Sequence, residues 1–455
     1  MTATAALGDF VASSRTVHVP DDVRELARRH VLDTLASIVA CRDLEPSVVA
    51  RRYARANSGS IDPGVTILGT RERVSLVDAV FAGAMTAHGA EINDFMPSVF
   101  VQPGPAIVTG GIALAEQRQL SGDALVRGIV TGYEVAVRVP RSLGVANLRR
   151  AGIANHGIGP TFGTAATVAS MAGLSADDVA HVVSCCAQQA SGSWQWLLDV
   201  EHMEKSFVFA GLGARNGTQA VLLVEAGFRG VREPLDQDGG WFSGRQFQGG
   251  DEEPNALAAG WDQLTALTDT AYKRYPVGGP TQPAIEGLLS LVEEVDRHDV
   301  VSVEIAMPGR WQAFRDAEMP ALNLRYLTSI ILIDGRLDFH DAQSLERMHG
   351  DAAVAAGMAT VDVIHDPDQE SGPGRERTES ARVTMTLRSG DTVERFVGHV
   401  VGFPSHPMSR DDVEAKSLEL VAPHLGDERA TELVDTCRRL EALPDAGILA
   451  ELIAR

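Results

Sequence analysis

Ala381-Arg382-Val383-Thr384-Met385-Thr386-Leu387 runs into Arg388-Ser389-Gly390-Asp391 and then into Thr392-Val393-Glu394-Arg395-Phe396-Val397. Apolar side chains occupy alternate positions of the first segment, the period of a strand with one buried face. Ser389-Gly390-Asp391 supplies a tight turn, so the stretch reads as a β-hairpin. Residues 300–306 and 359–364 also read as strands, 281–295 and 320–333 as helices, and 366–378 as a polar loop. Together, residues 268–403 form a small α+β unit in a chain whose remainder has a different period.

Upstream of Trp261 the apolar residues recur at helical spacing. Pro20-Asp21-Asp22 opens an acidic first turn, and Val23, Leu26, Ala27, His30, Val31, Leu35 and Ile38 follow on one face. Residues 75–87, 104–116, 121–139, 161–172 and 175–189 read as further helices, with Ser121 and Ser175 as N-caps. Glycine, alanine and threonine crowd positions 163–172, allowing helices to approach closely. Past Pro404 and Pro407 the chain turns helical again from Arg410. The expected architecture is mainly α: a discontinuous helical domain from 1–267 and 404–455, with 268–403 as an α+β lid and a ligand cleft between them.

The 455 residues carry a net charge of −21, which argues against nucleic acid or an anionic membrane surface as partner. No uninterrupted apolar run reaches membrane-spanning length, and Met1 to Phe10 lacks the basic start of a signal peptide. Cys41, Cys185, Cys186 and Cys437 have neither disulfide-framework nor metal-ligand spacing. A cytoplasmic protein without a metal site is expected. P-loop, His-Glu-x-x-His, Gly-x-Ser-x-Gly and Cys-x-x-Cys motifs are absent from the sequence, as is a dinucleotide fingerprint.

Of 40 basic residues only Lys205, Lys273 and Lys416 are lysine. Arginine does not exchange its proton at usable pH, whereas a buried lysine can, so each lysine invites a reason. Compositional drift is the alternative reason. Lys416 lies one helical turn after Asp412 and is expected to pair with it on a helix surface. His88-Gly89-Ala90-Glu91-Ile92-Asn93-Asp94-Phe95 closes a helix with a histidine and carboxylates, suited to metal binding, general-base work or capping. His156, in Asn155-His156-Gly157-Ile158-Gly159-Pro160, lies at the glycine-rich start of a helix, where backbone N–H groups can hold an anion; a structural loop histidine is the alternative.

The order and spacing of these segments resemble the MmgE/PrpD family, which includes 2-methylcitrate dehydratase, cis-aconitate decarboxylase and iminodisuccinate epimerase. Leu32-Asp33-Thr34-Leu35, Gly69, Ala79-Val80-Phe81, residues 88–94 and residues 105–116 carry the first part of the likeness. Gly132-Tyr133-Glu134-Val135, residues 152–163 and 205–211, Lys273-Arg274-Tyr275-Pro276 and residues 326–335 carry the rest. The resemblance implies a homodimeric enzyme that acts on a small-molecule carboxylate without metal or organic cofactor. It also implies catalytic roles for Asp94, His156, Lys205, Lys273 and Tyr326, with His88, Glu91, Asn93, Gln102, Arg274 and Gln282 contacting substrate. The implied chemistry is proton abstraction beside a carboxylate or carbonyl, then elimination or reprotonation. A decarboxylase and an inactive binding or assembly protein are the alternatives.

The sequence also departs from the family pattern. Gln102 stands where the family usually has histidine, and Gly278 where its decarboxylases do. Gln282 replaces the histidine of a Thr-His pair, and Glu91-Ile92-Asn93-Asp94-Phe95 replaces Asp-Phe-Asp-Asp-Thr. Several ionisable groups are thereby exchanged for neutral ones, so the resemblance does not fix the substrate.

Overall fold

A computed structural model describes residues 1–59, 63–238, 240–370 and 379–455. The fold is mainly α, with a small α+β second domain. One apolar core draws on residues from Leu7 to Leu267 and again from Leu420 to Ile453, so both ends of the chain build the helical domain. A second core extends from Val277 to Met385.

Local chemistry sets the helix starts. Ser75, Ser121 and Ser175 each accept a backbone N–H from the first turn of Leu76–Ala87, Gly122–Leu143 and Ala176–Gln189. The buried helix Asn155–Ala172 packs between Gly122–Leu143 and Leu212–Glu225. Small residues make this approach possible. A Cβ at Gly217 would lie 2.5 Å from the Thr161 carbonyl oxygen, and one at Gly163 would lie 2.7 Å from the Ala136 Cβ. Gly157 and Gly159, near the start of this helix, serve the same end, packed against Ser191 and Ala136.

The four-stranded sheet has the order Val361–His365, Val300–Met307, Ala381–Leu387, Thr392–Val397. The first pair is parallel, and its crossover carries helix Leu324–Asp334. The other pairs are antiparallel, and the hairpin turns at Gly390, whose φ of 92° suits glycine. Val303, Ile305, Val363, Val383 and Met385 point to one face and pack on Ile285, Leu288, Leu327 and Ile331. The predicted polar loop 366–378 is only partly described, because residues 371–378 lie outside the described residues.

Met203–Glu225 is continuous through a π-type turn at Phe207–Gly211 and is long and apolar enough to cross a membrane by length and composition, although Glu204, Lys205 and Arg215 interrupt its apolar run; most of it is buried within the fold. One reading is corrected: Lys416 does not face solvent. It is 1% exposed, and its Nζ donates to Asp33 Oδ1 at 2.5 Å and to the Ile92 carbonyl at 2.8 Å. Asp412 is instead engaged in the capping box of helix Arg410–Leu425, accepting from Ser409 N at 2.8 Å.

Candidate active site

The turn after helix Leu76–Ala87 delivers Glu91 into the interior, where it is 2% exposed. An isolated carboxylate there would be untenable, and three groups from distant parts of the chain meet it. Lys273 Nζ donates to Oε2 at 2.9 Å, while Lys205 Nζ pairs with Oε1. His202 Nε2 lies 3.0 Å from the same Oε1, and its Nδ1 lies 3.0 Å from the Ser206 hydroxyl. Facing a carboxylate, Nε2 carries the proton, while the Ser206 hydroxyl beside Nδ1 lies 2.7 Å from the His88 and His202 carbonyl oxygens, to which it donates. His202 has a φ of 62°, a left-handed conformation that costs a non-glycine residue roughly 1–2 kcal/mol. That strain accompanies a side chain turned inward onto Glu91.

Burial alone would raise the Glu91 pKa, but Lys205, Lys273 and His202 outweigh it and hold the carboxyl well below its usual range. Burial, with Lys273 adding to it, lowers the Lys205 pKa below the ordinary 10.5 despite the opposing pull of Glu91. His156 is pushed well below 6.5, mainly by burial and then by Lys205, so it is neutral at pH 7. Two ammonium groups around one carboxylate give the cluster a formal surplus of one positive charge, which Asp199 also faces.

Glu91 and Lys205 of this cluster form part of the wall of a cavity of about 870 Å³ between the two domains, while Lys273 and His202 meet Glu91 from outside the lining. Glu91, Gln102, His156 and Lys205 line it from the helical side, and Pro308, Gly309, Arg310 and Phe314 with Met319 and Leu322 from the α+β side. His156 stacks on Phe209 at 4.0 Å and meets the edges of Trp194 and Trp196. Lys205 Nζ lies 5.3 Å from the Trp196 ring centre and 5.4 Å from that of Phe209, so His156 and Lys205 share one aromatic wall. The π-type turn following Lys205 presents Phe209 to that wall.

The other predicted site residues lie elsewhere. Asp94 is buried in a second polar cluster, where Oδ2 accepts from the Tyr133 hydroxyl at 2.5 Å and lies 3.0 Å from His30 Nδ1. Its Oδ1 accepts from Gly104 N at 3.0 Å, holding the start of helix Gly104–Arg118. Asn93 donates to the Asp94 carbonyl. His88 is fully buried behind the cavity, stacked on His202, and burial holds it neutral. Tyr326 is corrected as a pocket residue: its hydroxyl donates to the Asp341 carbonyl at 2.5 Å within the second domain. Arg274 forms a two-armed ion pair with Glu419, and Gln282 braces the backbone of Tyr275 and Val277. Both shape the segment that carries Lys273 without lining the cavity.

His202, Trp194, Trp196 and Phe209 were not anticipated. Trp194-Gln195-Trp196, in a chain with five tryptophans, was the available signal. Nothing in the local pattern marks His202, which depends on a single left-handed residue. Among the described residues no group of three His, Cys, Asp or Glu side chains is arranged to hold a metal ion.

A two-domain helical and α+β protein with a buried Lys–Glu–Lys cluster that reaches its interdomain cavity through Glu91 and Lys205 is the class that fold and site define. The family model for the MmgE/PrpD N-terminal domain matches residues 5–252, and that for the C-terminal domain matches residues 275–440. The chain belongs to the MmgE/PrpD family. It is 22% identical over 479 aligned residues to human cis-aconitate decarboxylase, covering 99% of this chain and 94% of that protein.

Proposed function

We propose that the chain is a lyase or isomerase that removes a proton beside the carboxylate or carbonyl of a small-molecule acid, then eliminates a neighbouring group or returns the proton. The observation that carries this reading is neutral His156 beside Lys205 and Glu91 on one cavity wall, with Lys273 paired to the same Glu91 from outside the lining. His156 takes the proton, and the electron pair left on the substrate becomes an enolate-like anion. Lys205 holds that charge in a site where burial strengthens the interaction, while Lys273 balances Glu91 and leaves Lys205 free to do so. Lys205, its pKa already lowered, can deliver a proton to the leaving hydroxyl or back to carbon. Each step has a protein group assigned to it, so the reading invokes no cofactor.

The resemblance to a cis-aconitate decarboxylase favours a second reading, in which Lys205 stabilises the carbanion left by departing carbon dioxide. Incubation with carboxylic acids in D2O separates the two. Solvent deuterium entering recovered substrate, or product formed by elimination, is the expected result. Carbon dioxide release without prior exchange would favour decarboxylation, and neither event with any acid would overturn the enzyme reading.

The pH profile provides an independent test. The reaction needs His156 deprotonated, and its pKa lies well below 6.5, so the acid limb of kcat/KM should lie well below 6.5 too. It also needs Lys205 protonated, so the alkaline limb should fall below 10.5. An acid limb centred on 6.5 would remove His156 as the base.

A further inference from the structure

We infer that the site takes a monocarboxylate bearing a neutral oxygen function, such as a hydroxyl or carbonyl, on a large apolar body. This rests on the chemistry proposed above and names its substrate class. The first observation is charge. Among the described residues, Glu91, Asp199, Asp316, Glu318, Glu370 and Glu379 line the cavity, against Arg149, Arg310 and Lys205, with Asp316 paired to Arg315 and Glu370 to His365. The Glu91 cluster retains one surplus positive charge, enough for a single carboxylate. A second or third carboxylate on the same ligand would face an acidic lining.

The second observation is the polar atoms left over. Gln102 Oε1, His156 Nδ1 and Trp196 Nε1 are shielded from water and have no hydrogen-bond partner among the described residues. All three residues line the cavity, and Gln102 is 5% exposed. Such atoms are costly unless something meets them, and a ligand hydroxyl or carbonyl supplies an uncharged donor or acceptor. Gln102, a neutral residue where the family usually has histidine, provides an acceptor and no positive charge.

The third observation is the apolar wall. Phe95, Trp194, Trp196, Phe209, Phe314 and Leu322 surround the polar end. Leu197 and Leu198 extend this surface outward, with Leu198 84% exposed. A cavity of about 870 Å³ lies in the range of sites that enclose drug-sized ligands, well beyond the needs of a compact polycarboxylate.

Equilibrium binding of a graded probe series to the full chain tests this, followed by tryptophan fluorescence or calorimetry. The probes are 3-hydroxybutyrate, 3-hydroxydecanoate, 3-hydroxy-3-phenylpropionate and citrate. Each fully buried methylene strengthens binding about fourfold, so 3-hydroxydecanoate should bind at least roughly 100-fold tighter than 3-hydroxybutyrate even if only part of its tail is covered. The phenyl acid should also exceed 3-hydroxybutyrate, and citrate should be weakest. Trp196→Ala should narrow the ratio between long and short acids about tenfold, and the wild-type series stands if that variant misfolds. A flat tail series, or citrate binding as tightly as the decanoate, would overturn the inference. Tight decanoate binding without deuterium exchange would uphold this substrate class and remove the proposed chemistry. Exchange on short acids with a flat tail series would do the reverse.

Discussion

Lys205→Arg and Lys273→Arg are each expected to lower kcat/KM by about 100-fold or more, the scale of a lost electrostatic or acid–base contact, while the protein stays folded. The chain otherwise relies on arginine, so an ordinary structural cation at either position would tolerate the exchange. Geometry says otherwise. The two ammonium groups divide the Glu91 oxygens between them, and His202 shares one of those oxygens. A guanidinium prefers to grip both oxygens of a carboxylate in a planar fork, which would displace the second lysine and His202. It is also bulkier than an ammonium in a site where the lysine side chains are 5% and 1% exposed. Nor can it exchange a proton near neutral pH, the property that burial gives Lys205. Folding should survive because a positive charge still compensates Glu91, and far-UV circular dichroism checks this. Near-wild-type turnover in both variants would remove the lysines from the chemistry.

The lysines were legible because the surrounding composition made them conspicuous, and the helices and the hairpin because their periods and caps are local properties. Ser121 and Ser175 cap as the sequence implies, and Ala381–Leu387 pairs with Thr392–Val397 across the expected turn. Convergence from distant segments was harder to read. Glu91 and Asp94 lie three residues apart and looked like members of one site. The turn sends Glu91 to the cavity wall and Asp94 to Tyr133 and the start of helix Gly104–Arg118. Tyr326 belongs to a helix whose buried face fills the second core, so its hydroxyl meets a backbone carbonyl of the same domain. Asp33 and Tyr133 fell within segments that resemble the family, yet nothing local tells a buried polar partner from a core position. For Lys416 a signal was present. Val413, Ser417, Leu420 and Val421 mark the buried stripe of its helix, and Lys416 lies on that stripe.

That position makes Lys416→Met the second large effect: the helical domain should lose about 3–5 kcal/mol, the cost of stripping one partner from a buried ion pair. Burial raises the Asp33 pKa and lowers the Lys416 pKa, so each group is the main support for the other's charge. Methionine matches the length of lysine but leaves Asp33 unpaired and the Ile92 carbonyl without its donor. Chemical denaturation followed by tryptophan fluorescence should show an earlier transition. Lys416→Arg should also destabilise, by about 1–3 kcal/mol, because the enclosed space does not fit a guanidinium. Asp33→Asn combined with Lys416→Met should recover much of the loss, since removing both charges removes the unpaired one. The effect should reach the active site as well. Ile92 is the neighbour of Glu91 in the chain, and its carbonyl is fixed by Lys416 from the returning helix Arg410–Leu425. A displacement of about 1 Å at a catalytic centre can cost about 100-fold, so kcat should fall in Lys416→Met even where the protein remains folded. If Lys416→Met retains both its denaturation midpoint and its kcat, the Asp33–Lys416–Ile92 clamp holds neither the fold nor the Glu91 turn.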